Sequence, residues 1–234
     1  MSSLDYLYRD ADIFAVYKPA GIHSVRAGDS GGHSIADLLL AETPALRAVG
    51  SAGIDAGLVT RLDRSTSGIL LGAASPAVWR TFREQVLAGG IDKRYVAHVE
   101  GRFPDRQSIT TYIGSPNRGA KKMKIYTSKP AKSARALEGS SHFNLLSYDS
   151  TLDMSIVEIS AAPARRHQIR AHAAFLGYPL VGDTLYGSNR ALPLVLGEPR
   201  DFFLHAYQAI FYHPCTAALV TIESPYERGA SSRH

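Results

Sequence analysis

Thr60-Arg61-Leu62-Asp63-Arg64-Ser65-Thr66-Ser67-Gly68-Ile69-Leu70-Leu71-Gly72-Ala73 sets a carboxylate between two guanidinium side chains, follows it with small hydroxyl residues, and ends in an unbroken apolar run. The run from Gly68 to Ala73 reads as a buried strand. Two readings of the charged part stand side by side. An Asp between arginines is commonly a surface ion pair beside a turn. It is equally the form of an ionised carboxylate kept charged by cationic neighbours and aimed from a loop by a rigid strand.

Outward from this stretch the pattern is α+β. On the N-terminal side Ile13–Tyr17 reads as a short strand stopped by Lys18-Pro19-Ala20-Gly21, and His33–Ala41 as a helix with Ile35, Leu38 and Leu39 on one face. On the C-terminal side Ser75 and Pro76 open a helix carrying Trp79, Phe82, Val86 and Leu87, which Gly89-Gly90 ends. Lys93–Val99 alternates as a half-buried strand. Further strands are expected near Ser108–Ile113, His142–Tyr148, Met154–Ile159, Phe202–Tyr212 and Ala218–Glu223, with a helix over about Arg166–Leu176. Strands outnumber helices and most neighbours read as hairpin-linked, which favours a largely antiparallel sheet over a doubly wound one. With no repeat and no linker in view, residues 1–234 are expected to form a single domain.

The chain has 234 residues, 45% hydrophobic and 20% charged, a globular composition with no apolar run of membrane-spanning length. One cysteine, Cys215, forms no internal disulfide; a reducing cytoplasm is the simplest location. Eight of the 26 basic residues and none of the 21 acidic ones lie between Arg106 and Leu137, so the positive excess of +5 is local. Such a segment suits a polyanionic partner, although a solvated basic loop has the same composition.

Motifs for nucleotide cofactors and for a nucleophile elbow are absent. His167 and His172 are five residues apart, about 140° out of phase on a helix, and so do not share a face for a metal. No cofactor and no metal site is expected. The segment Arg165-Arg166-His167-Gln168-Ile169-Arg170 puts His167 and Arg166 three and four residues before Arg170, which a helix would stack on one side. An exposed basic helix is the plainer reading. Gly182-Asp183, with Tyr186-Gly187, would then be punctuation.

Taken together these segments resemble the RluA family of pseudouridine synthases. The resemblance rests on Lys18-Pro19-Ala20-Gly21, Arg61-Leu62-Asp63 with Thr66-Ser67-Gly68, Lys93-Arg94-Tyr95-Val96-Ala97, His167-Gln168-Ile169-Arg170 with Gly182-Asp183 and Tyr186-Gly187, and Leu204-His205-Ala206 with His213-Pro214. They occur in family order from about Asp12 to Pro225. The chain departs from the pattern at Thr60, where the family usually has His, and at Pro163-Ala164-Arg165, where it usually has Thr-Gly-Arg. No S4-like module precedes the matching segments, as in the short single-domain members.

The resemblance implies a bent, mixed but mainly antiparallel sheet with flanking helices and a central catalytic cleft. It implies that Asp63 is the catalytic aspartate, that Tyr95 stacks on the target base and takes part in proton removal, and that Arg170 pairs with Asp63. Leu204 would wall the pocket, and Arg61 would enter the space an everted base leaves. Arg165, His167, Gln168, Lys121, Lys122 and Lys124 are the expected RNA contacts. The partner would be RNA rather than DNA or membrane, in stem-loops of tRNA or 23S rRNA, and the protein is expected to act as a monomer. A protein that binds or chaperones RNA on the same scaffold without turnover is the competing reading.

Overall fold

The computed structural model describes residues 4–26, 33–51, 53–117, 119–130, 135–161, 164–193 and 201–226. The chain divides into two compact units, Met1–Ile91 with Ala206–His234, and Asp92–His205. The first contains strands β1 (Tyr6–Arg9), β2 (Ile13–Lys18) and β3 (Ser67–Ala73), and helices α1 (Ile35–Glu42) and α2 (Pro76–Leu87). The second holds most of β4 (Ile91–Glu100), with β5 (Arg106–Ser115), β6 (Lys124–Tyr126), β7 (Arg135–Asp149), β8 (Met154–Ala161) and helix α3 (Gln168–Phe175). The chain returns to the first unit within β9 (Leu204–Tyr212) and ends its regular structure with β10 (Leu219–Glu223).

In the first unit the strand order is β1-β2-β3-β9, with β10 on β9. β2 and β3 pair antiparallel from Ile13 opposite Ala73 to Lys18 opposite Gly68. Successive side chains of a strand face opposite sides, and here both sides are covered. Ile13, Ala15, Ile69 and Leu71 pack with Val78 and Phe82 of α2, and with Phe211 and Ile222. Phe14, Val16 and Leu70 pack with Ile35, Ala36 and Leu39 of α1. This two-sided cover is why β3 is an unbroken apolar run. Gly68, at φ +111, sits where a Cβ would lie 2.2 Å from the Ala206 carbonyl oxygen, so the strand crossing there demands glycine.

Both helix starts carry hydroxyl caps, of which only the one at α2 was expected. Ser34 and Asp37 form a reciprocal capping box on α1, and Ser75 Oγ accepts from Val78 N ahead of α2. Phe82 is fully buried, Trp79 half-buried, and Leu87 exposed.

The second unit is an antiparallel sheet in the order β4-β8-β7-β5-β6. Three expectations change here. β4 is buried continuously from Tyr95 to Val99 rather than alternately, because residues 179–181 hydrogen-bond along it: Val181 N donates to the His98 carbonyl and Glu100 N to the Pro179 carbonyl. β7 begins at Arg135, well before the expected His142, since its polar first half pairs residue by residue with β5; ladder hydrogen bonds rather than burial hold it. α3 begins at Gln168, as His167 adopts a left-handed φ of 53°. Arg166 and His167 therefore precede the helix.

Candidate active site

The loop bearing Asp63 is fastened from beneath. The Lys18 side chain is fully buried, and its Nζ donates to the carbonyls of Pro19 (2.9 Å), Ile22 (2.7 Å) and Arg64 (3.0 Å). Gly21 N donates to the Arg64 carbonyl and Arg64 Nε returns a bond to the Gly21 carbonyl. Ser24 Oγ accepts from Leu62 N and donates to the Leu62 carbonyl, each at 2.9 Å. Thr60 is buried, with Oγ1 accepting from Leu71 N. The Lys-Pro-Ala-Gly segment is thus the loop's floor. A short β-strand could not by itself fix seven loop residues; these side chain–backbone bonds do so.

Asp63 is half-buried on this loop, and Thr66 N donates to its carbonyl. Thr66 Oγ1 is buried without a hydrogen-bond partner among the described residues. The two flanking arginines do not converge on the carboxylate. Arg64 goes to Gly21, and Arg61 Nη2 lies 3.2 Å from Asp55 Oδ1 with its side chain 69% exposed. Burial pushes the Asp55 carboxyl up, but hydrogen bonds from Ser51 and Arg61 outweigh it and hold the group below its usual range. The nonlocal carboxylate Asp55 claims Arg61, which sequence adjacency could not reveal.

In the second unit Tyr95 lies on β4, buried, with Lys93 Nζ 5.7 Å from its ring centroid on the same strand face. Burial pushes the Lys93 amine down to about 7. Leu204 is buried at the start of β9. Arg170 is buried on α3 and makes a two-pronged contact with Asp183: Nε to Oδ2 at 2.7 Å and Nη2 to Oδ1 at 2.9 Å. Its guanidinium also lies over the rings of Phe202 (4.4 Å) and Tyr186 (5.1 Å). The reading of this segment as an exposed basic helix is therefore overturned, and so is the Gly-Asp pair as punctuation. Gly182, at φ +88, leaves no room for a Cβ against the Asp201 carbonyl, and the turn it makes presents Asp183 to Arg170.

Around Tyr186 the remaining expected contacts are joined. Its hydroxyl accepts from Met123 N at 2.8 Å and lies 3.1 Å from His167 Nδ1, while Lys122 Nζ is 5.1 Å from the ring centroid. Arg166 donates to the carbonyls of Ala120 and Lys121, and Arg165 Nε to that of Glu138. Exposed Lys121, Lys122 and Lys124 thus ride on backbone held by Arg166 and Tyr186. Gln168 is placed differently, buried and engaged with Arg165 N, the Ser140 carbonyl and Ser141 Oγ. Part of the basic stretch is strand β6 rather than loop. Arg118, Lys132 and Pro163 lie outside the described residues.

Asp183, Lys18 and Tyr186 are the residues the sequence reading left without a role. The signal for each was a motif neighbour whose partner is distant in sequence.

An α+β fold with these two antiparallel strand groups is that of solved pseudouridylate synthases. Human RNA pseudouridylate synthase domain containing 1 superposes with a TM-score of 0.70 at 23% identity, over 95% of this chain and 83% of that one. Residues 12–175 match the family model for RNA pseudouridylate synthase. The chain belongs to the RNA pseudouridylate synthase family. It is 37% identical over 84% of its length to an uncharacterized RNA pseudouridine synthase of Chloroflexus aurantiacus, and 30% identical over 95% to ribosomal large subunit pseudouridine synthase D of Xylella fastidiosa. It spans 58% and 66% of the lengths of those two relatives.

Proposed function

We propose that this chain isomerises chosen uridines in structured RNA to pseudouridine, with Asp63 as the catalytic carboxylate. The observation that carries the reading is the half-buried Asp63 on a loop whose backbone is pinned by Lys18, Ser24 and Thr60, within the segment matching the family. The reaction breaks the N1–C1′ glycosidic bond, turns the uracil and rejoins it through C5. The proton leaving C5 balances the one gained at N1. Whether the carboxylate adds to the nucleoside or removes a ribose proton, it must be ionised and held at the sugar.

In this proposal Arg170 keeps Asp63 charged: Asp183 takes two N–H groups of its guanidinium, and another serves Asp63 in the reacting complex. Tyr95 supplies the aromatic face for the uracil and takes part in removing the C5 proton, with Leu204 as the apolar wall. Arg61, largely exposed, fills the stack vacated by the everted base, offsetting part of a cost of a few kcal/mol. Lys121, Lys122, Lys124, Arg165 and His167 meet the RNA, while Gln168 contributes by bracing the segment that presents them. The family match runs through the boundary between the units, which supports one catalytic domain built from both. The name of the Xylella relative supports large-subunit ribosomal RNA as the substrate to try first, with tRNA stem-loops second; action as a monomer in the cytoplasm completes the proposal.

Release of tritium from RNA labelled at uracil C5 tests it. The wild-type chain is expected to release label, Asp63→Asn none while retaining its fold, and Tyr95→Phe far less than wild type. Full release by Asp63→Asn would remove the carboxylate from the mechanism.

A further inference from the structure

Between β6 and α3, wholly within the second unit, lies a groove of about 430 Å³, in the size range of small-molecule sites. Met123, Ile125, Ala171, Ala174 and Phe175 are among the residues that line it. None of the residues assigned to the isomerisation, Asp63, Tyr95, Arg170 and Leu204, lines it. Phe175 is 53% exposed, an aromatic face left to water at the end of α3. Lys122 and Lys124 stand at the rim. Each ammonium is held over an aromatic ring, Lys122 over Tyr186 at 5.1 Å and Lys124 over Tyr126 at 5.3 Å. The rim backbone is itself fixed, through Met123 N on the Tyr186 hydroxyl and Arg166 on the Ala120 and Lys121 carbonyls.

We propose that this groove takes the base of an unpaired nucleotide of the bound RNA other than the uridine being isomerised, with its phosphate at Lys122 and Lys124. The proposal rests on RNA being the substrate. An apolar slot with an exposed aromatic wall suits a nucleobase, which stacks on aromatic side chains whatever its identity. Cations at the slot's edge suit the phosphate that each base carries with it. The shape and charge of the groove thus repeat the alternation of a nucleic-acid strand. A protein segment would have to be both apolar and acidic to match it. Because the rim is held before binding, little ordering is required of the lysines when RNA arrives.

The test follows the methyl groups of Met123, Ala171 and Ala174 by NMR in the full chain during titration with octauridylate RNA. Saturable shifts of all three are expected, with inorganic phosphate alone leaving them unmoved. Phe175→Ala should raise the Kd for octauridylate about tenfold, the loss of one base–aromatic stack, and Phe175→Trp should restore it. Methyls that stay silent while fluorescence anisotropy reports bound RNA would overturn the assignment, as would wild-type affinity in Phe175→Ala. Shifts that depend on protein concentration without RNA would give the groove to a second copy of the chain instead. Tritium release by the wild type separates the two proposals. Release with silent methyls removes only the groove, and responsive methyls without release on any transcript remove only the isomerase.

Discussion

Arg170 and Asp183 show how much one buried pair decides. A guanidinium stays charged even out of water and so needs a matched acceptor, and the two-pronged contact with Asp183 supplies one between two aromatic faces. Asp183→Ala removes the acceptor of two buried N–H groups of that guanidinium, so a urea titration should show stability lower by about 3–5 kcal/mol; an unshifted midpoint would mean that the pair does not anchor Arg170. Asp183→Asn keeps the shape and, under the proposal that Arg170 acts on Asp63 rather than on RNA binding, should lower kcat for tritium release with little change in KM. At this scale the sequence was half legible. Asp63, Tyr95 and Arg170 stood out by type and order, but Arg61 and Arg170 find Asp55 and Asp183 through folding, and no local spacing encodes such pairings.

At the scale of elements, α3 is clamped to its sheet by polar side chains. His172 is fully buried, with Nε2 2.9 Å from Thr111 Oγ1 on β5 and Nδ1 2.9 Å from Ser141 Oγ on β7. Burial pushes its pKa down to about 4 from an ordinary 6.5. The unfolded chain therefore takes up the proton first, and His172 withdraws stability as pH falls from about 6.5 to about 4. Full development of that loss is worth about 3 kcal/mol. His172→Gln retains hydrogen-bonding capacity without a titrating ring, so the difference between its urea stability and that of the wild type should shrink or reverse across this window; a constant difference would exclude the linkage. Elements with strong patterns were readable: β3 from its unbroken apolar run, α1 from its apolar face and α2 from its serine cap and proline. β1 and β6, at four and three residues, are too short to show a period. The start of α3 was misplaced because helical spacing continues back through His167 while its backbone does not.

For the whole molecule, the positive excess of the sequence is concentrated between Arg106 and Leu137. Lys121, Lys122 and Lys124 are exposed in that stretch. If all three meet phosphates, replacing them with Gln should flatten the dependence of log K on log salt by about 2, at roughly 0.7 per contact on single-stranded RNA. A slope identical to wild type would place the RNA elsewhere. The fold class and the order of motifs were legible at this scale because they are spread along the chain. The division into two compact units was not, since it falls inside β4 and β9 where no linker composition marks it.

Lys18, enclosed by the carbonyls of Pro19, Ile22 and Arg64, doubles as a natural chemical clock. An amine so enclosed is shielded from acylating reagents until the peptide around it loosens, so the rate at which mass spectrometry finds Lys18 tagged measures how often the floor beneath the Asp63 loop comes undone.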